Sequence, residues 1–193
     1  MGKLLVVLCL VVGWLGLVSA GLVSAARYDS KPAPVRATTP AFPGGGAISL
    51  AKDRPTIVLF AHPECPCTKA TLHQLEEAQA KATRKASIYI VFATPEGLPV
   101  GDGSQVLIKQ ARQIKGATVI EDDGLALAKR FGATTSGQTF VFDPGSTLLF
   151  KGGLTRARGH YGNSLGAESL LSMMDTGKPV ATETPVYGCS LGL

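Results

Sequence analysis

The chain has 193 residues, of which 45% are hydrophobic, 17% charged and 6% aromatic; this suits one ordinary α/β domain with a sizeable core and excludes a disordered chain. The formal charge is +5, and residues 1–26 contribute only Lys3, so the remainder carries 18 basic and 14 acidic residues, or +4. The basic residues are scattered, as at Lys52, Arg54, Lys69, Lys81, Arg84 and Lys85, with no aromatic-interleaved patch, which argues against a nucleic-acid partner.

Leu4 to Ala26 carry no charge. A run of that length is about enough to cross a ~30 Å hydrocarbon core. Val18-Ser-Ala20 and Val23-Ser-Ala25 resemble small-residue cleavage sites, yet the run exceeds the ~7–15 residues of a signal core, so residues 1–26 read as an uncleaved anchor in preference to a removed signal. Either reading exports the rest of the chain, giving a single-pass membrane protein whose domain lies on the periplasmic or extracellular side. Cys9 falls inside the apolar run and reads as a membrane-embedded residue without a chemical part. Residues 27–46, with four prolines and little periodicity, read as a tether, and residues 47–193 as the domain.

Within that domain, Ile48 to Ala51 predict a short edge strand and Thr56 to Ala61, an uncharged β-branched and aromatic run, a central strand covered on both faces. His62-Pro63 ends it. After Cys65-Pro66-Cys67 the apolar positions Ala70, Leu72, Leu75, Ala78 and Ala82 share a helical face, predicting a helix to about Lys85. Ser87 to Ala93 predict a second buried strand, parallel to the first through the intervening helix. Thr94 to Gly103 read as a loop, with Ser104 capping a helix that carries Val106, Leu107, Ile108, Ala111 and Ile114. A strand at Ala117 to Ile120 and a short helix from Gly124 to Phe131, stopped by Gly132, come next. Gln138 to Asp143 and Thr147 to Lys151, joined by Pro144-Gly145-Ser146, predict an antiparallel hairpin. A last helix is predicted from about Ser164 to Asp175, and residues 177–193 show little periodicity.

The chemistry concentrates at the strand-to-helix break. Unpaired N–H groups and the macrodipole at a helix start stabilise an anion, and the thiolate is the nucleophile of disulfide exchange, with pKa values at such sites of about 3.5–7.5. Pro66 is pre-set for a first helical turn. Cys65 is the expected nucleophile, as the first and more exposed of the pair, and His62 supplies a base or positive neighbour. A Cys65–Cys67 disulfide would close a very small, strained ring, whereas Cys189 offers a distant partner; both pairings stay open. The exported part holds three cysteines, an odd number that fits a reactive pair plus a third thiol better than scaffolding. Gly137 could bring backbone close to Cys65, having no Cβ to obstruct it. Arg158 and His160, in Gly152 to Asn163, are candidates for stabilising a thiolate or contacting substrate.

A strand ending at two closely spaced cysteines, the helix behind them, Asp123 to Gly132 and a Phe-Val-Phe-Asp hairpin together resemble the thioredoxin-like superfamily. His62 to Thr68, Lys151 to Asn163 and Val186 to Leu191 are similar, more specifically, to segments of RedB-type membrane-associated redoxins. The resemblance implies an α/β fold, a mixed sheet flanked by helices, from about residue 47 onward. Two departures stand out: one proline separates the cysteines, and Ser136-Gly137 occupies the position where the superfamily usually places a cis-proline.

The expected function is thiol–disulfide oxidoreduction at a Cys-Pro-Cys site, acting on a protein or small-molecule thiol or disulfide with no cofactor and no resident metal. The Thr-x-x-Cys arrangement of peroxiredoxins is missing. Two alternatives remain: a carrier binding Cu(I) or Zn through His62, Cys65, Cys67, Cys189 and His160, and a non-catalytic thioredoxin-like adaptor.

Overall fold

The computed structural model describes residues 2–34, 41–44, 46–96 and 101–193. It divides into two compact units, residues 1–31 and 32–193. The first is a single helix, α1 (Gly2–Ser30), none of whose side chains is buried. With a mean hydropathy of 2.5, it is long and apolar enough to cross a membrane. Part of the segment read as a tether, 35–40 and 45, and the centre of the loop before the third helix, 97–100, lie outside the described residues.

In the second unit, β1 (Thr56–Ala61), α2 (Pro66–Lys81), β2 (Ser87–Thr94), α3 (Asp102–Gln113), β3 (Ala117–Asp123), α4 (Ala126–Phe131), β4 (Thr139–Phe142), β5 (Leu148–Gly152) and α5 (Leu165–Thr176) succeed one another. The five strands form one sheet, β3-β2-β1-β4-β5. β1 pairs parallel with β2, and β2 with β3, while β4 runs antiparallel to β1 and to β5. The sheet is therefore mixed, with the predicted hairpin at one edge. This is an α/β fold with a mixed sheet flanked by helices, as expected.

The run Thr56 to Ala61 is buried at every position because β1 is central and covered on both sides. Ile57, Leu59 and Ala61 enter a core with Leu72 and Leu75 of α2, Ile108 and Ala111 of α3, and Leu170 and Met173 of α5. Val58 and Phe60 enter the opposite core with Ala128 and Phe131 of α4, Phe140, Phe142 and Leu191. Burying each large apolar side chain contributes roughly 1.5–3 kcal/mol. Two cores thus grip the strand whose end carries the cysteines.

Several elements differ from the sequence reading. Ile48 to Ala51 form no strand; Ile48 is buried in the second core and Leu50 packs against it, half-buried. α2 stops at Lys81, where Ala82 adopts an extended conformation. Ser104 is not the cap of α3; Gly101 holds that position, and Ser104 lies buried in the first turn with its hydroxyl on Glu64 Oε1 at 3.3 Å. Val106 is exposed on that helix. β3 extends through Asp123, and α4 begins at Ala126, its first amides bound by the Asp122 carboxylate. The Ser164 hydroxyl caps α5 by accepting from Ala167 N–H at 3.1 Å.

Residues 177–193, which show no periodicity, are nonetheless tied to the sheet edge and the loop before β4. Lys151 N–H donates to Thr182 O and Thr184 N–H to Lys151 O, at 3.0 and 3.2 Å. Val186 and Leu191 are each 1% exposed.

Candidate active site

The strand-to-helix break at the end of β1 is laced to the loop entering β4. His62 N–H donates to Ser136 Oγ at 3.0 Å, and Thr68 Oγ1 donates to His62 O at 2.9 Å. The Ser136 and Thr68 hydroxyls meet each other at 2.9 Å, and both residues are buried. Pro63 removes a donor where the strand ends, and Pro66 occupies the first helical position, so Cys65 becomes the N-cap of α2 and Cys67 its second helical residue.

From the other side arrives the segment around Cys189. Ser136 N–H donates to Cys189 O at 2.8 Å and Leu191 N–H to Thr134 O at 2.9 Å, a short antiparallel pairing that also joins Thr135 to Ser190. Gly188 makes this approach possible, because a Cβ there would overlap the carbonyl oxygen of Ser136. The result is a Cys65–Cys189 Sγ separation of 2.7 Å between free thiols, and the Cys189 N–H reaches Cys65 Sγ at 3.4 Å.

These groups split the ionisation of the three cysteines. The Cys65 pKa is lowered to about 4 by the Cys67 thiol that donates to it, against the opposing effect of burial, and further by the Cys189 thiol and the backbone amides of Cys189 and Cys67. Cys67 is pushed up because it gives its proton to that hydrogen bond, and burial adds to the effect. Cys189 is pushed up to about 12 by burial, by its own hydrogen bond to Cys65 and by the Cys65 charge, while the Arg158 charge acts the other way. At neutral pH the site holds one thiolate on Cys65 between two protonated thiols.

The expectation that Cys65 is the more exposed of the pair is corrected: it is 1% exposed and Cys67 8%. The segment carrying Cys189 covers it, and what sets Cys65 apart from the other two thiols is its ionisation. Gly137, with φ of 90°, donates its N–H to Phe60 O at 2.8 Å and turns its open side toward Thr71. The main-chain group that reaches Cys65 Sγ is the N–H of Cys189. His62 lies beside the cysteines in sequence, but its Nδ1 accepts from Glu64 N–H at 3.1 Å, and no hydrogen bond joins its ring to a sulfur among the described residues. Arg158 does reach the site: Nη1 donates to Gly188 O. His160 is exposed, and its Nδ1–H donates to Arg158 O at 2.6 Å. Among the described residues, no group of three His, Cys, Asp or Glu side chains is arranged to hold a metal ion.

Thr68 and Gly188 belong to the site without having been named as candidates from the sequence, and Ser136 was noted only for standing at the usual cis-proline position. Gly188 left a signal as the residue immediately before Cys189 in Tyr-Gly-Cys-Ser.

No family model and no curated protein matches the chain. Solved structures do. An uncharacterized conserved protein from Geobacillus kaustophilus superposes with a TM-score of 0.61 at 21% identity, covering 86% of this chain and 92% of that one. A hypothetical protein from Sinorhizobium meliloti gives 0.58 at 20% identity, over 72% of this chain and 80% of that one. A thioredoxin-like protein from Aeropyrum pernix gives 0.44 at 17% identity, over 83% and 98%. At these identities the first two likenesses speak to the fold.

Proposed function

We propose that the chain is a membrane-anchored thiol–disulfide oxidoreductase in which Cys65 is the nucleophile, Cys189 the resolving thiol and Cys67 the donor that holds the Cys65 thiolate. The observation that carries this reading is the placement of Cys189 Sγ 2.7 Å from Cys65 Sγ across a sequence separation of 124 residues. The finer resemblance of three segments to RedB-type redoxins agrees with it, and the length and hydropathy of α1 support an anchor presenting the domain outside the membrane.

The geometry supports an ordered exchange. The Cys65 thiolate attacks a partner disulfide, forms a mixed disulfide and expels one thiolate. Once Cys65 is bonded, its charge and the hydrogen bond that raise the Cys189 pKa are gone; burial remains, opposed by Arg158. Cys189 then deprotonates more readily, attacks Cys65 Sγ and releases the second partner thiolate, leaving a Cys65–Cys189 disulfide. The reverse sequence oxidises a partner dithiol. The copper-carrier alternative is less well supported, because among the described residues no group of three His, Cys, Asp or Glu side chains is arranged to hold a metal ion.

Equilibrating the full chain in detergent with glutathione buffers of varied ratio tests the reading. A reversible two-electron transition with Cys65 linked to Cys189 by peptide mapping is the expected result. A Cys65 that forms no disulfide at any ratio would overturn it.

A further inference from the structure

A group that must meet another molecule's sulfur is here almost wholly covered: Cys65 is 1% exposed. The cover is the segment 188–191, bridged to Thr135 through Ser190. It is held by the paired amides of Ser136 and Leu191, by Arg158 Nη1 on Gly188 O and by the Cys189 amide on Cys65. Ser190 between them is exposed, and Leu191 is the buried anchor at the far end. A few hydrogen bonds at an accessible edge are what local opening without global unfolding requires.

We infer that residues 188–191 are a displaceable cover strand: they leave the Thr134–Ser136 edge to admit a partner disulfide to Cys65, then return with Cys189 to complete the exchange and close the edge. This rests on the thiol–disulfide reading above. One segment thereby performs two opposed tasks, hindering the first step and enabling the second. The edge it vacates offers the Ser136 N–H and the Thr134 carbonyl, spaced for an extended main chain. An extended cysteine-bearing peptide can take both, which a small disulfide cannot, so the strand favours peptide disulfides as partners.

With glutathione disulfide as the probe, atoms and electrons balance in two steps. Cys65 thiolate bonds to one glutathione sulfur as the S–S bond breaks, and one glutathione thiolate leaves. Cys189, having lost its proton to solvent, bonds to Cys65 Sγ as the mixed disulfide breaks, and the second glutathione thiolate leaves. Two protein thiols are oxidised to one disulfide, and one glutathione disulfide is reduced to two thiols.

Gly188→Ala tests the inference in the full chain, since the added Cβ overlaps Ser136 O and keeps the strand off its edge. Alkylation of Cys65 by iodoacetamide, located by peptide mapping and referred to the thiolate fraction, is expected to rise by roughly ten-fold or more. Release of glutathione from a Cys65–glutathione mixed disulfide is expected to slow by a similar factor. Arg158→Gln, which removes the tie to Gly188 O without adding bulk, should move both rates in the same senses by less, with release referred to the Cys189 thiolate fraction because the Arg158 charge also lowers the Cys189 pKa, and it decides the matter if Gly188→Ala fails to fold. Opposite shifts in the two steps support the cover strand. Unchanged rates, or shifts of the same sign, overturn it while leaving the redox reading intact, whereas a Cys65 inert in wild type and variants alike overturns that reading and the inference with it.

Discussion

The main-chain N–H of Ser136 donates to the carbonyl oxygen of Cys189 at 2.8 Å, while the Ser136 hydroxyl accepts from His62 N–H at 3.0 Å. One residue thus joins the turn that presents Cys65 to the strand that presents Cys189. Ser136→Ala keeps the first bond and removes the second, leaving the amide of His62 without its partner. Such a loss costs about 1–3 kcal/mol. Denaturant unfolding should show a destabilisation in that range, and air oxidation of the Cys65–Cys189 pair should slow.

Replacing the two thiols that donate to Cys65 should raise its pKa unequally. Cys67→Ala removes the largest stabilising contribution and Cys189→Ala a smaller one, since the Cys189 amide stays in place. Cys67→Ser keeps a hydroxyl donor and should fall between wild type and Cys67→Ala. Thiolate absorbance in the ultraviolet, followed against pH on the reduced chain, would order the variants; an effect of Cys189→Ala exceeding that of Cys67→Ala would contradict the arrangement.

The assignment of the resolving thiol predicts different fates for two serine variants. In Cys189→Ser, the mixed disulfide between Cys65 and glutathione should persist on the order of ten times longer than in wild type or more, because no second thiolate stands in line to attack. In Cys67→Ser it should resolve at close to the wild-type rate. Quenching with acid at intervals and weighing the intact protein distinguishes them.

Ionisation also couples to stability, with a sign set by the direction of each shift. Between about pH 4 and 9 the folded reduced protein holds Cys65 as thiolate while the unfolded chain, with an ordinary cysteine pKa of 9.0, binds the proton. The stabilisation is complete above 9 and is lost as pH falls through that window toward 4, at up to about 1.4 kcal/mol per pH unit. Above 9 the unfolded chain releases protons that Cys67 and Cys189 retain in the fold, so their contribution runs downward with rising pH. Unfolding of the reduced full chain at a series of pH values should show this rise and fall, and Cys65→Ser should flatten the rising limb.

Much of the architecture was legible because it is encoded locally. The unbroken apolar run at Thr56 to Ala61 can only be a strand covered on both faces, Pro144-Gly145-Ser146 joins two strands, and Ser164 stands where a helix needs a cap. Where the reading failed, partners distant in sequence had decided the outcome. Ser104 looks like a cap until Glu64 claims its hydroxyl. Ile48 to Ala51 carry strand-like residues but find burial without a ladder. The choice between Cys67 and Cys189 was out of reach for the same reason: no local pattern reveals that Thr134 to Ser136 pair with Ser190 and Leu191, and it is this pairing that brings the third thiol in.

Glu64 stands one residue before Cys65, where a carboxylate would repel the sulfur's charge, yet its Oε1 is bound by Gly101 N–H and the Ser104 hydroxyl, each at 3.3 Å. The positive end of α3 is thereby neutralised by a neighbour's anion, while the positive end of α2 is left to the thiolate. Two helix starts separate two like charges that the sequence sets side by side.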